Sequence, residues 1–193
     1  MAARTKESHQ MTILWRRIDY PGKEWCRLRR EKNHQILEGT VLLNYDKKPC
    51  HIDYFIKCDL SWQTRRVSIR GQIGRRAISQ TLQVNSKKQW LIDGKPIPSV
   101  EGCIDVDLGF SPSTNLLPIR RLRLGTGETA EVTAAWVEFP SFKVKPLKQG
   151  YSRFEQNTFH YESAGGRFQR DLVVNREGFV TRYPDLWEME AAL

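Results

Sequence analysis

Arg66-Val67-Ser68-Ile69-Arg70 alternates polar and apolar side chains. A period of two puts Val67 and Ile69 on one face of a strand and the arginines and serine on the other. The same alternation appears at Leu82 and Val84, within Thr81 to Asn85. It appears again at Ile104, Val106, Leu108 and Phe110, with Asp105 and Asp107 on the opposite face of that strand. Glu131 to Phe139 and Phe168 to Asn175 are rich in β-branched and aromatic residues and also read as strands. Turn signals punctuate these runs: Pro21-Gly22, Glu38-Gly39, Lys48-Pro49, Gly71, Gly74, Asp93-Gly94, Gly125, Gly127, Gly165-Gly166 and Glu177-Gly178. Asp93-Gly94 has the composition of a tight hairpin turn. No stretch offers a long amphipathic helix, and Trp187 to Leu193 is the one candidate for a short terminal one. Many short strands predict an all-β sandwich, barrel or open barrel, with strand content above about 40% where an average domain has roughly 20–25%.

The chain has 193 residues, enough to bury roughly 70% of its unfolded surface without disulfides or metals. Hydrophobic residues at 39% and charged residues at 27% exclude wholesale disorder. The 31 basic and 22 acidic residues leave a net charge of +9, which favours anionic partners. The N-terminus has no apolar signal core, and no apolar run reaches the roughly 20 residues of a membrane span. A cytoplasmic protein is the expectation.

Cys26, Cys50, Cys58 and Cys103 form no C-x-x-C pair, and Cys50-His51 has no second pair at zinc spacing. They read as packed, reduced thiols. Thr81-Leu82-Gln83-Val84-Asn85 is echoed by Asp171-Leu172-Val173-Val174-Asn175. Each copy is followed by a basic turn and an aromatic, Trp90 or Phe179. Internal duplication and chance likeness between strands both remain open.

The densest segment runs from Gly102 to Leu124. It reads as a strand, a loop of Ser111, Pro112, Ser113, Thr114 and Asn115, and a basic return strand carrying Arg120, Arg121 and Arg123. Asp105 and Asp107, two residues apart, share a face about 6 to 7 Å apart. They resist joint ionisation unless answered by the return arginines, which can fork to carboxylates. One reading is a structural ion-pair ladder with hydroxyls bonding their own turns. The other is a polar site for a hydroxyl-rich or anionic head group. Asp59-Leu60-Ser61-Trp62-Gln63-Thr64-Arg65 and Trp90-Leu91-Ile92-Asp93-Gly94 set a tryptophan near an aspartate. Trp62 and Trp90 are either sugar-stacking platforms or core side chains with a satisfied indole N–H.

These motifs carry a family resemblance: Asp59-x-x-Trp62-x-Thr64-Arg65, Trp90-x-x-Asp93-Gly94, Gly102-Cys103-x-Asp105-Val106-Asp107-Leu108-x-Phe110-Ser111-Pro112-Ser113-Thr114-Asn115-x-Leu117-Pro118-Ile119-Arg120-Arg121-Leu122, and Gly178-Phe179-Val180-x-x-Tyr183-Pro184-x-Leu186-Trp187. The chain resembles the bacterial "putative glycolipid-binding" family from about residue 13 to 188. The resemblance implies a long, curved antiparallel sheet forming a half-closed barrel, similar to lipoprotein carriers whose concave face holds acyl chains. It also implies an extension over residues 1–12, read as flexible, and a single domain over 13–193.

The leading functional expectation is non-enzymatic binding of a lipid or glycolipid, its tail in the concave face. The rim would be Trp62, Arg65, Trp90, Asp105, Asp107, Ser111, Ser113, Thr114, Asn115, Arg120 and Arg121. No cofactor, metal set or nucleophile motif is indicated. A carbohydrate-active enzyme using Asp105 and Asp107 is the alternative, although arginines that hold both carboxylates ionised would deprive it of a general acid. Single-stranded nucleic-acid binding through the basic runs Arg27 to Lys32 and Arg65 to Arg76 is the remote alternative. The cysteine reading predicts that thiol titration of denatured, unreduced protein counts all four thiols; two or none would reveal disulfides.

Overall fold

The computed structural model describes residues 10–193. Residues 1–9 of the expected extension lie outside it, and Gln10 to Thr12 already belong to the first strand. The first eight strands are β1 (Gln10–Arg17), β2 (Gly22–Glu31), β3 (His34–Tyr45), β4 (Lys48–Asp59), β5 (Thr64–Ile73), β6 (Arg76–Val84), β7 (Trp90–Ile92) and β8 (Lys95–Pro96). A short β9 (Val106–Leu108) and the helix α1 (Leu116–Leu122) follow. The rest are β10 (Thr129–Val137), β11 (Val144–Glu155), β12 (Thr158–Ser163), β13 (Phe168–Val174), β14 (Val180–Tyr183) and β15 (Trp187–Ala192).

All fifteen strands join one curved sheet, and 61% of the described residues are strand. β1 pairs with β2 on one side and β15 on the other, so the chain's two ends meet at the sheet's middle. One arm runs outward from β1 to β8 and the other from β15 to β9. β8 and β9 do not pair, so the sheet stays open as a half-barrel. Every pairing is antiparallel except β9 with β10. The alternation read from the sequence sets the two faces. Cys50, Ile52, Tyr54, Ile56 and Cys58 of β4 point inward, while His51 and Asp53 face solvent.

The concave face is filled by the chain itself. From Cys103 to Ile119 nearly every residue is buried, including Val106, Leu108, Phe110, Leu116 and Leu117. Phe110 packs among Tyr54, Phe139 and Phe142 at ring distances of 5.8 to 6.3 Å. The segment also stitches the arms together. Thr64 donates its amide to the Ile104 carbonyl, and its hydroxyl accepts from the Val106 amide, both at 3.1 Å. On the other side the Ala135 amide donates to the Asp105 carbonyl at 2.9 Å.

Several local expectations change. The basic return strand is instead α1. Its Pro118 sits in the first turn, where amides have no intrahelical acceptor to lose, and Leu116, Leu117 and Ile119 face the core. Arg123 lies past the helix in a left-handed conformation. The strand expected from Ile104 to Phe110 shrinks to β9, because only Val106 to Leu108 pair with β10. Trp187 to Leu193 forms β15 rather than a helix: Trp187 and Met189 turn inward, Glu188 and Glu190 outward. Asp93-Gly94 does make the β7–β8 hairpin, both residues having positive φ. Glu38-Gly39 and Gly71 lie inside β3 and β5 instead of at turns.

The echo between Thr81–Asn85 and Asp171–Asn175 has a local cause. Asn85 and Asn175 each open the same five-residue turn. The asparagine amide donates to the carbonyl four residues on, and its side-chain oxygen accepts the returning amide, of Gln89 or Phe179. Asp59 builds the same turn with Gln63. A third instance outside the echo makes shared turn chemistry a sufficient account of it.

Gly39 is a glycine for room. A Cβ there would lie 2.6 Å from the Tyr54 hydroxyl and 2.4 Å from the Trp25 carbonyl oxygen. Gly39→Ala is therefore expected to cost about 1–3 kcal/mol, as overpacking does, read as a lower urea midpoint at unchanged slope.

Candidate functional site

The inner polar groups fall into two clusters and one open cleft. The first cluster centres on Glu24, fully buried in β2. Its Oε1 accepts from the hydroxyls of Tyr54 and Ser111, each at 2.6 Å, and its Oε2 has no partner. Ser111 also contacts the Ser113 hydroxyl at 2.6 Å and accepts the Ser113 amide. Thr114 accepts the Leu108 amide at 3.1 Å. Burial pushes the Glu24 carboxyl up to about 8, against the weaker opposing effect of its two hydroxyl donors. At neutral pH it is mostly protonated, and the cluster carries little net charge.

The second cluster holds the two aspartates. Asp105 is 1% exposed, and Arg121 of α1 forks to both its oxygens, through Nε at 3.0 Å and through Nη2. Desolvation still raises the Asp105 carboxyl, outweighing Arg121. Asp107 meets no arginine; Gln149 donates to it, and burial lifts it to about 6. The residue as a whole keeps some exposure, but its carboxyl group is enclosed. The expected pair of arginine-held, ionised carboxylates is thus one ion pair beside one amide-bound acid. Gln149 also donates to the Tyr161 hydroxyl at 3.1 Å, and Tyr151 donates to Asn115 at 3.0 Å.

Ser111, Ser113, Thr114 and Asn115 are therefore buried, joining the central segment to itself and to the sheet. Trp90 is buried too, its indole donating to the Cys103 carbonyl at 2.8 Å. Arg65 forks to Asp59 Oδ2, closing the turn that Asp59 builds. Trp62, in that turn, has a φ of +65° and is 5% exposed. Its ring lies 5.3 Å below the guanidinium of Arg120. Of the expected rim residues, Arg120 is the one that lines the cleft described next.

That cleft has a volume of about 590 Å³. Ile119, Arg120, Arg123 and Leu124 approach it from α1 and its exit. Arg153, Gln156, Asn157 and Phe159 come from the β11–β12 hairpin, and Val174, Asn175, Arg176 and Gly178 from the β13–β14 turn. Ile119, Leu124, Phe159 and Val174 supply apolar surface; arginines and amides ring it. The sequence reading missed the hairpin and turn residues, because they converge only through strand pairing. It also missed Glu24, although a carboxylate in phase with buried Cys26, between Lys23 and Trp25, is a readable signal.

The comparisons with known proteins agree with this architecture. The family model described as "Putative glycolipid-binding" matches residues 12–189. The chain belongs to that family. A solved Pseudomonas aeruginosa protein, described as a DUF1089-family protein, is 30% identical to it with a TM-score of 0.76. The match covers 86% of this chain and 91% of that one. No curated protein matches. Among the described residues of this family member, no helix is long and apolar enough to cross a membrane.

A raised carboxyl pKa favours the folded state most where the group is protonated. The Glu24 contribution is whole below about 4.5 and is lost as pH rises through about 8. Glu24→Gln keeps the hydroxyl acceptor and cannot ionise. Wild-type stability should fall between about pH 5 and pH 9 by an increment that this variant lacks, measured by urea unfolding at each pH.

Proposed function

We propose that this protein binds a lipid or glycolipid without transforming it, and that the ligand sits in the open cleft beside α1. The carrying observation is the combination of an apolar floor and a polar rim in a 590 Å³ cleft, while the concavity proper is packed with the protein's own side chains. That volume lies within the roughly 300–1,000 Å³ range of small-ligand sites. The family description, with its reference to glycolipid, supports the same reading.

The rim expected from the sequence acts here mostly through Arg120. Trp62 lies under the Arg120 guanidinium. Asp105 anchors the neighbouring Arg121, which fixes the turn of α1 that carries Arg120. Trp62, Asp105 and Arg121 are then positioning residues, and the Ser111–Asn115 loop roots α1 in the core. Ligand head groups would meet Arg120 and the amides; a tail would lie along Phe159 and Val174.

A homologous series of alkyl glucosides tests this. If the floor takes the tail, affinity should rise with each added methylene, by up to about 0.8 kcal/mol, until the floor is covered. Affinity indifferent to chain length across the series would refute lipid binding. Asp105→Ala should cost about 3–5 kcal/mol of stability by leaving Arg121 unanswered, whereas Arg120→Gln should leave stability within about 0.5 kcal/mol and weaken head-group binding.

A further inference from the structure

Several arginines elsewhere on the protein are paired with carboxylates. Arg27 and Arg29 meet Glu38, Arg65 meets Asp59, Arg121 meets Asp105, and Arg170 meets Asp185. Arg120, Arg123, Arg153 and Arg176 line one cleft, and none has a carboxylate within ion-pair distance among the described residues. No Asp or Glu lines it either. Four like charges around one concavity repel one another unless an anion sits between them.

Two of the four are already held in place. Arg153 donates from Nη1 to the Leu124 carbonyl at 2.7 Å and from Nε to the Gln156 carbonyl at 3.1 Å, with its guanidinium over Phe159. Those bonds occupy carbonyls that would otherwise repel an anion, and they leave the charge uncancelled. Arg120 lies over Trp62, with its Cδ in the space that a Cβ on Gly178 would crowd at 3.2 Å. Fixed guanidinium groups lose little freedom on binding.

We propose that this cleft recognises a phosphate ester. A single carboxylate answers one or two arginines, whereas a phosphate monoester brings about −1.5 to −2 charges and three acceptor oxygens. Arginine forks match that geometry. Gln156 and Asn157 stand beside the arginines to meet neighbouring hydroxyls. The inference rests on the cleft being the ligand site and specifies the chemistry of the head. The phosphate could belong to a lipid head group or to a free phosphorylated metabolite.

Calorimetric titration with three probes separates the possibilities: dihexanoyl phosphatidic acid, glycerol 3-phosphate and octyl glucoside. The expected result is that the phosphatidic acid binds at least tenfold tighter than octyl glucoside. Arg120→Gln and Arg176→Gln should each weaken it about tenfold, with Arg75→Gln, an exposed arginine outside the cleft, as the unaffected control. If glycerol 3-phosphate binds as tightly as the phosphatidic acid, the phosphate site stands and the lipid reading falls. If octyl glucoside equals the phosphatidic acid, the lipid reading stands and the phosphate site is overturned. A single-stranded oligonucleotide that outcompetes both phosphate probes and depends on the same arginines also overturns it, in favour of nucleic acid. Binding by none of the probes sinks both.

Discussion

An irregular stretch of chain buried inside a sheet survives only if every amide and carbonyl it carries is answered. Residues 100–124 borrow partners from both arms. Thr64 gives and takes a backbone bond at the rim of β5, Thr114 caps Leu108 from within, and Trp90 closes on Cys103. Arg121 answers Asp105, Gln149 answers Asp107, and Glu24 takes up Ser111. Remove that polar stitching and the two arms of the half-barrel lose the element that both pack upon. The hydroxyl-rich motif is thus needed for the fold whatever the protein binds.

Part of the sheet was readable from the sequence, β5 and β6 by alternation and β10 and β13 by their β-branched and aromatic content. β5 and β6 carry apolar residues at every second position for much of their length, and one face meets solvent, so the period survives. Legibility failed elsewhere. Alternation runs from Ile104 to Phe110, but only Val106 to Leu108 pair with β10. α1 is too short for a helical period to emerge, and its arginines imitate the polar face of a strand. Gly39 looked like a turn, because its reason for being glycine is Tyr54, which sits on the neighbouring strand.

The site was legible only in part, for a related reason. Sequence reading finds clusters that are contiguous, and the contiguous cluster here is the interior framework. The open cleft draws on α1, a hairpin and a turn that are far apart in the chain. Arg120 belongs to both, through its neighbour Arg121 on one side and the Trp62 ring on the other. A functional surface standing one residue from a structural ion pair explains why a ladder reading and a ligand reading could not be told apart from residues alone.

The sheet ends on strands of two and three residues. β8 contributes Pro96, which has no amide to offer, and β9 is hemmed in by Thr64. A fifteen-stranded sheet that never closes would ordinarily present two long rows of unpaired donors and acceptors to any passing chain. Here β7 covers only Leu82 to Val84 of β6 and β9 only Ala135 to Val137 of β10, so the ladder narrows in steps toward each margin. Shortening the outermost strands is one way a sheet limits the edge it offers to a foreign chain.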